Sequence, residues 1–96
     1  MKKAYISIPI TGYDLDERIK TAENIKKYLL DRGYAVYNPL ENGLPHDAPY
    51  EQHMRRDISL LLKSDAIYMA KGWIKSHGCK IEKDVADICG IKIIYE

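Results

Sequence analysis

The sequence predicts an α/β fold: a four-stranded parallel sheet in the order 2-1-3-4 between helical layers, a three-layer sandwich of the flavodoxin-like or Rossmann-like kind. Three observations lead there. Short runs of β-branched and aromatic residues alternate with segments whose apolar residues recur at helical spacing. Glycines stand where two of the helical segments should stop, at Gly33 and Gly90. The resulting order, β-α-β-α-β-α-β, implies right-handed crossovers between parallel strands, with helices on both faces.

Each element has its own local reason. Ala4 to Pro9 (AYISIP) is a β-type run that ends in a Pro-Ile-Thr-Gly turn. Asp14 offers an N-cap with Glu17 as its capping partner, and Ile19, Ala22, Ile25 and Leu29 follow at helical spacing. Tyr34 to Asn38 is a second strand closed by Pro39. Residues 39–49 hold three of the four prolines and read as a loop. A second helix runs from Tyr50 to about Lys63, with Met54, Ile58, Leu61 and Leu62 on one face. Asp65 to Met69 is the third strand and Ala70 to His77 a loop. A third helix from Gly78 to about Cys89 carries Ile81, Val85 and Ile88, and Ile91 to Tyr95 is the last strand.

Composition narrows the function classes. Lys+Arg 15 against Asp+Glu 14 leaves a net charge of +1, which argues against a nucleic-acid polymer as partner. At 46% hydrophobic the chain is globular, and the 96 residues are expected to form one domain, 1–96. No apolar run approaches the ~18 residues that would span a bilayer, so no membrane partner is expected. The apolar stretch of MKKAYISIPITG is broken by Ser7 and Pro9 and reads as a strand rather than a signal peptide, and a cytoplasmic location is expected. Cys79 and Cys89 are too few for a disulfide framework and read as reduced thiols.

In such sheets a ligand sits beyond the carboxyl ends of the strands where the strand order reverses. That point lies between strands 1 and 3, so Pro9–Gly12 and Lys71–Gly78 should build the site. Neither GxGxxG nor GxxxxGK[ST] is present, and no Ser-His-Asp or Cys-His set stands out. His53 and Asp57 lie four apart on one helix face but lack a third ligand, so no metal and no cofactor are assigned.

The segment GWIKSHGCKIE, Gly72 to Glu82, carries more. Ser76 and Gly78 open a helix whose first amides are unpaired, a ready anion site. Glu82 follows one turn in, where the positive helix end should keep a carboxylate ionised and let it point into the crevice. An N-cap serine and an early acid also stabilise a helix with no ligand at all. Tyr5 and Ser7 share a face of strand 1, opposite Ile6 and Ile8, and Asp57 borders the apolar stripe of helix 2. Trp73, at the expected mouth, either stacks on a base or covers the core.

YISIPITG, MRRDISLLLKSDAI and GWIKSHGCKIEKDVA together resemble the nucleoside 2-deoxyribosyltransferase-like superfamily. The resemblance runs from Tyr5 to Tyr95 and is strongest to a short branch that begins YISGPITG and carries W-x-x-S-x-G-x-x-x-E, here Trp73, Ser76, Gly78 and Glu82. It implies cleavage of an N-glycosidic bond, with Glu82 as nucleophile, Asp57 holding sugar hydroxyls and orienting Glu82, and Tyr5 as hydrogen-bond partner. In the related 2′-deoxynucleoside 5′-phosphate N-hydrolases the serine matching Ser76 binds the 5′-phosphate, here with the amides of His77 and Gly78. Ser7, Pro9, Ile10, Gly12 and Trp73 would then lie against base or sugar. The resemblance further implies a homodimer or higher homo-oligomer, with helices 2 and 3 near the interface. Ile8 stands where the family usually has glycine, and Cys79 and Lys80 replace smaller or apolar residues. The expected function is therefore an N-glycosidase of a (deoxy)nucleoside 5′-monophosphate. A base-exchanging deoxyribosyltransferase and a non-catalytic nucleotide-binding module are the alternatives, the Ile8 departure favouring the module. The cytokinin phosphoribohydrolase type is a further rival, but its PGGxGT segment is not supplied by Lys75-Ser76-His77-Gly78.

Overall fold

Alternating side chains decide the architecture. In strand β1 (Lys3–Ser7) Ala4 and Ile6, continued by Ile8, point to one face, and Tyr5 and Ser7 to the other. The computed structural model describes residues 1–96 and pairs β1 in parallel with β2 (Ala35–Tyr37) and β3 (Ala66–Met69); β3 pairs with β4 (Lys92–Tyr95). The order is β2-β1-β3-β4, all parallel, as the sequence predicts. Tyr5 lies between Tyr37 and Ile67 in the register, and Ser7 pairs with Met69.

Helix α1 (Leu15–Asp31) alone covers one face, packing Ala22, Ile25 and Leu29 against Ala4, Ile6 and Tyr68. Helices α2 (Tyr50–Leu62) and α3 (His77–Cys89) cover the other, where Leu61, Cys79 and Ala86 meet Tyr5, Ile67 and Met69. Burying each of the larger side chains among these, such as Leu29, Ile6, Leu61 and Met69, is worth about 1.5–3 kcal/mol, so each layer is held by several such contacts.

The caps follow the residues that supply them. Asp14 accepts from the Glu17 amide at 3.0 Å, but the Glu17 side chain turns away to Arg18 and Thr21, so only half of the capping box forms. Ser76 caps α3 by accepting from the Cys79 amide at 3.3 Å. Gly90 ends that helix at φ +70°, a conformation glycine adopts without strain.

Two expectations are corrected. Strand β1 stops at Ser7, not Pro9, because Pro9 has no N–H to continue the ladder. The inward stripe of α3 is Cys79, Glu82 and Ala86; Ile81 and Ile88 are 45% and 85% exposed, and Val85 is only partly buried. Both triplets fit a helical period, and the choice falls to the glutamate because Tyr5 and Ser7 satisfy it inside. On α2, likewise, Leu62 is exposed while Asp57 is buried.

Candidate active site

At the carboxyl ends of β1 and β3 the chain encloses a cavity of about 830 Å³. Its walls come from the loop after β1, the 39–49 segment, and the first turns of α2 and α3. This is the switch point of the sheet, where sequence reasoning looks for it.

Glu82 forms part of the floor and is 5% exposed. Tyr5 Oη donates to its Oε2 at 2.5 Å, and Ser7 Oγ donates to its Oε1 at 2.7 Å. The two-residue period of a strand makes this possible: Tyr5 and Ser7 point to the same side and grip one carboxylate. Burial pushes Glu82 up to about 7 against the opposing effect of the two hydroxyls, and the Asp57 charge adds to the rise. The expectation that the helix end keeps Glu82 fully ionised is thus corrected to partial ionisation near neutral pH. Glu82 sits in the second turn of α3, and desolvation outweighs the distant first-turn amides. Burial, then the Glu82 charge, raises the Tyr5 phenol well above its ordinary range, so Tyr5 stays a proton donor.

Asp57 reaches the same cavity from α2. Burial raises its carboxyl, and a hydrogen bond from Asn42 partly offsets that. Asn42 Nδ2 lies 3.0 Å from Asp57 Oδ1 and 3.1 Å from His53 Nδ1. At the other wall Ser76, His77 and Gly78 line the cavity with the exposed start of α3. A Cβ at Gly78 would lie 3.3 Å from Tyr50 Oη and 3.8 Å from Met54 Sδ, so side chains of α2 close over this position of α3. Cys79, beside Glu82, is buried, and burial pushes its thiol up. No three His, Cys, Asp or Glu side chains converge as a ligand group for a metal ion.

Of the residues singled out in the sequence, Tyr5, Asp57, Glu82, Pro9, Ile10, Ser76, His77 and Gly78 border this one cavity. Ser7 lies behind Glu82, fully buried, and touches the carboxylate rather than the open space. Gly12 turns the loop at φ +87° without lining the cavity. Trp73 is corrected: it packs on Tyr95, ring centroids 5.9 Å apart, and against the core between the sheet and α2 and α3, without bordering the cavity. Its place in a short 3-10 turn (Trp73–Lys75) opened by Gly72 rotates it off the mouth.

Sequence reasoning missed Asn42, Tyr13, Tyr50 and His46. His46 joins His53 and His77, so all three histidines of the chain border the cavity, but in the sequence it stands in the proline-rich loop with nothing to single it out. Asn42 carried no sequence signal either, because its contact with Asp57 crosses from a loop to a helix face.

The family model described as "Domain of unknown function (DUF4406)" matches residues 2–95. Among solved structures, the chain is similar to the 2-deoxyribosyltransferase of the psychrotolerant bacterium Bacillus psychrosaccharolyticus, characterized as a biocatalyst for synthesis of antiviral and antitumoral nucleosides. The two share 21% identity and a TM-score of 0.74, over 97% of this chain and 70% of that one. At that identity the likeness shows a common fold, a nucleoside 2-deoxyribosyltransferase-like one. No curated protein matches.

Proposed function

The chain belongs to the DUF4406 family, and we propose that it is an N-glycosidase of (deoxy)nucleoside 5′-monophosphates with Glu82 as nucleophile. The observation that carries this reading is the buried Glu82 carboxylate, held by two hydroxyl donors at the floor of the switch-point cavity. The fold shared with a 2-deoxyribosyltransferase supports sugar–base chemistry.

In this mechanism the ionised Glu82 attacks the anomeric carbon while the C–N bond breaks and its electron pair leaves with the base. Tyr5 and Ser7 fix the carboxylate oxygens and stabilise the ionised form. The negative charges of Glu82 and Asp57 favour the oxocarbenium-like transition state. A glycosyl ester on Glu82 results. Water then attacks the same carbon, the ester bond breaks with its electron pair returning to the Glu82 carboxylate, and the water's proton passes to solvent or to the base already released, so configuration is retained.

Asp57 accepts from sugar hydroxyls through the oxygen that Asn42 leaves free. Ser76 Oγ already accepts from the Cys79 amide, so its proton remains available to a phosphate oxygen, beside the amides of His77 and Gly78. Pro9 and Ile10 provide apolar wall for base or sugar. Exposed apolar side chains on α2 and α3, Leu62 and Ile81 among them, support homodimerisation through these helices.

Base exchange is the second reading, favoured by the transferase activity of the structural neighbour. One experiment separates them. Free base is followed by chromatography over a panel of ribo- and deoxynucleoside 5′-monophosphates and the matching nucleosides, with and without a second base. Release from the monophosphates alone, lost in Ser76→Ala, supports hydrolysis at a phosphate-reading site. Release only with an added base makes the protein a transferase, and binding without release makes it a nucleotide-binding module.

A further inference from the structure

The buried side chain with the most partners near the cavity is not one of the proposed reacting groups. Asn42, 6% exposed, has partners for both ends of its carboxamide and for its backbone carbonyl. Its Oδ1 accepts from the Leu44 amide at 3.0 Å, which fixes which end of the carboxamide is oxygen. Its Nδ2 donates to Asp57 Oδ1 at 3.0 Å and faces His53 Nδ1 at 3.1 Å. Its carbonyl accepts from Arg56 Nη1 at 2.9 Å. The loop is thereby tied to α2 on both sides of the helix turn that carries Asp57.

An amide nitrogen only donates, so His53 Nδ1 must accept and the ring proton sits on Nε2. That Nε2 is the one buried side-chain polar atom in the chain with no partner. A covered donor with nothing to bond is unfavourable, and buried polar groups of native proteins nearly always have a partner. His53 and Asp57 are one helical turn apart and both border the cavity.

We propose that Asn42 is a positioning residue: one carboxamide holds Asp57 in a single rotamer and His53 in its Nε2–H tautomer, so that α2 offers the ligand an acceptor and a donor together. The ligand class is then one that carries a hydroxyl for Asp57 and an oxygen or nitrogen acceptor for His53, as a nucleotide does. Nε2 is shielded in the ligand-free chain, so its acceptor arrives as the wall around the ring yields. The assignment of the ligand rests on the glycosidase reading above; the tautomer does not.

The first test is long-range ¹H–¹⁵N NMR of the histidines in the ligand-free protein. His53 should show the Nε2–H pattern, and Asn42→Asp, whose carboxylate can only accept from Nδ1, should reverse it. An Nδ1–H ring in the unmutated protein overturns the proposal, whether or not any variant folds. The second test is calorimetric binding of 2′-deoxyguanosine 5′-monophosphate. Asn42→Ala and His53→Phe should each weaken it about tenfold, and the double variant should be no weaker than about twofold beyond either single one. Effects that multiply in the double variant would sink the coupling, and no binding to the unmutated protein would sink the ligand half. A protein with the expected tautomer and coupled binding but no base release keeps the positioning role while the glycosidase reading fails. Base release with the wrong tautomer does the reverse.

Discussion

The phenol of Tyr5 and the carboxylate of Glu82 lie 2.5 Å apart although 77 positions separate them in the chain. Both are buried, and the parallel pairing of β1 with β3 brings the strand end beneath α3. The contact joins a donor that keeps its proton to a carboxyl that is about half ionised at neutral pH. The proposed chemistry turns on that pair.

Tyr5→Phe removes one of the two donors that lower the Glu82 carboxyl, so its pKa should rise further above about 7. The acid limb of the kcat/KM profile should move to higher pH in the variant, with kcat down about 10- to 100-fold. Loss of the hydrogen bond should cost roughly 1–2 kcal/mol of stability. A rate profile recorded over a range of pH, with a urea titration beside it, checks all three.

Glu82 also links stability to pH. Its folded pKa, near 7, exceeds its ordinary value of 4.5. Below 4.5 the folded and unfolded chains both carry the proton, so the group contributes no difference. Between 4.5 and 7 the unfolded chain releases it first, and stability falls as pH rises across that window. Above it the loss levels off at about 3 kcal/mol. Glu82→Gln should therefore unfold at higher urea than the unmutated protein at pH 8 and show a flatter dependence on pH. A glutamine variant less stable at pH 8 than at pH 5 by the full amount would remove Glu82 as the source.

Much of this was legible in the sequence, for physical reasons. Strand alternation placed Tyr5 and Ser7 on one face, and the β-α order placed the cavity between the β1 and β3 loops. Side-chain direction on α3 was not legible, since Cys79, Glu82 and Ala86 match the helical period as well as Ile81, Val85 and Ile88 do. Hydrophobicity favours the isoleucines, and only the two hydroxyls across the interface reverse that preference. The same burial raises Glu82 to about 7, so it is only partly ionised at neutral pH where full ionisation was expected. Trp73 was read by its place in the chain, whereas Tyr95, on the neighbouring strand, decides where it packs.

Trp73→Ala follows from that packing. It should lower stability by about 1–3 kcal/mol, as loss of a partly buried aromatic does, while KM for a nucleotide changes less than about twofold. Denaturant titration and steady-state kinetics on the same preparation check it. A large rise in KM with stability unchanged would return Trp73 to the cavity.

Gly72→Ala probes the loop contact across the switch point. Gly72 has φ +89°, and a Cβ there would lie 3.1 Å from Tyr13 Oη and 3.7 Å from Pro9 Cγ. Left-handed backbone costs a residue with a Cβ about 1–2 kcal/mol, and Tyr13, which borders the cavity, must shift. The variant should melt lower and bind a nucleotide more weakly. Unchanged melting and binding would show that neither the strain nor the contact matters.

The most direct test of the central claim is the rate of base release from a 2′-deoxynucleoside 5′-monophosphate by the unmutated protein and by Glu82→Gln, with folding of both confirmed by circular dichroism. The unmutated protein should release base, and the folded variant should do so at least about a thousandfold more slowly. A folded Glu82→Gln protein that releases base at the unmutated rate would contradict it.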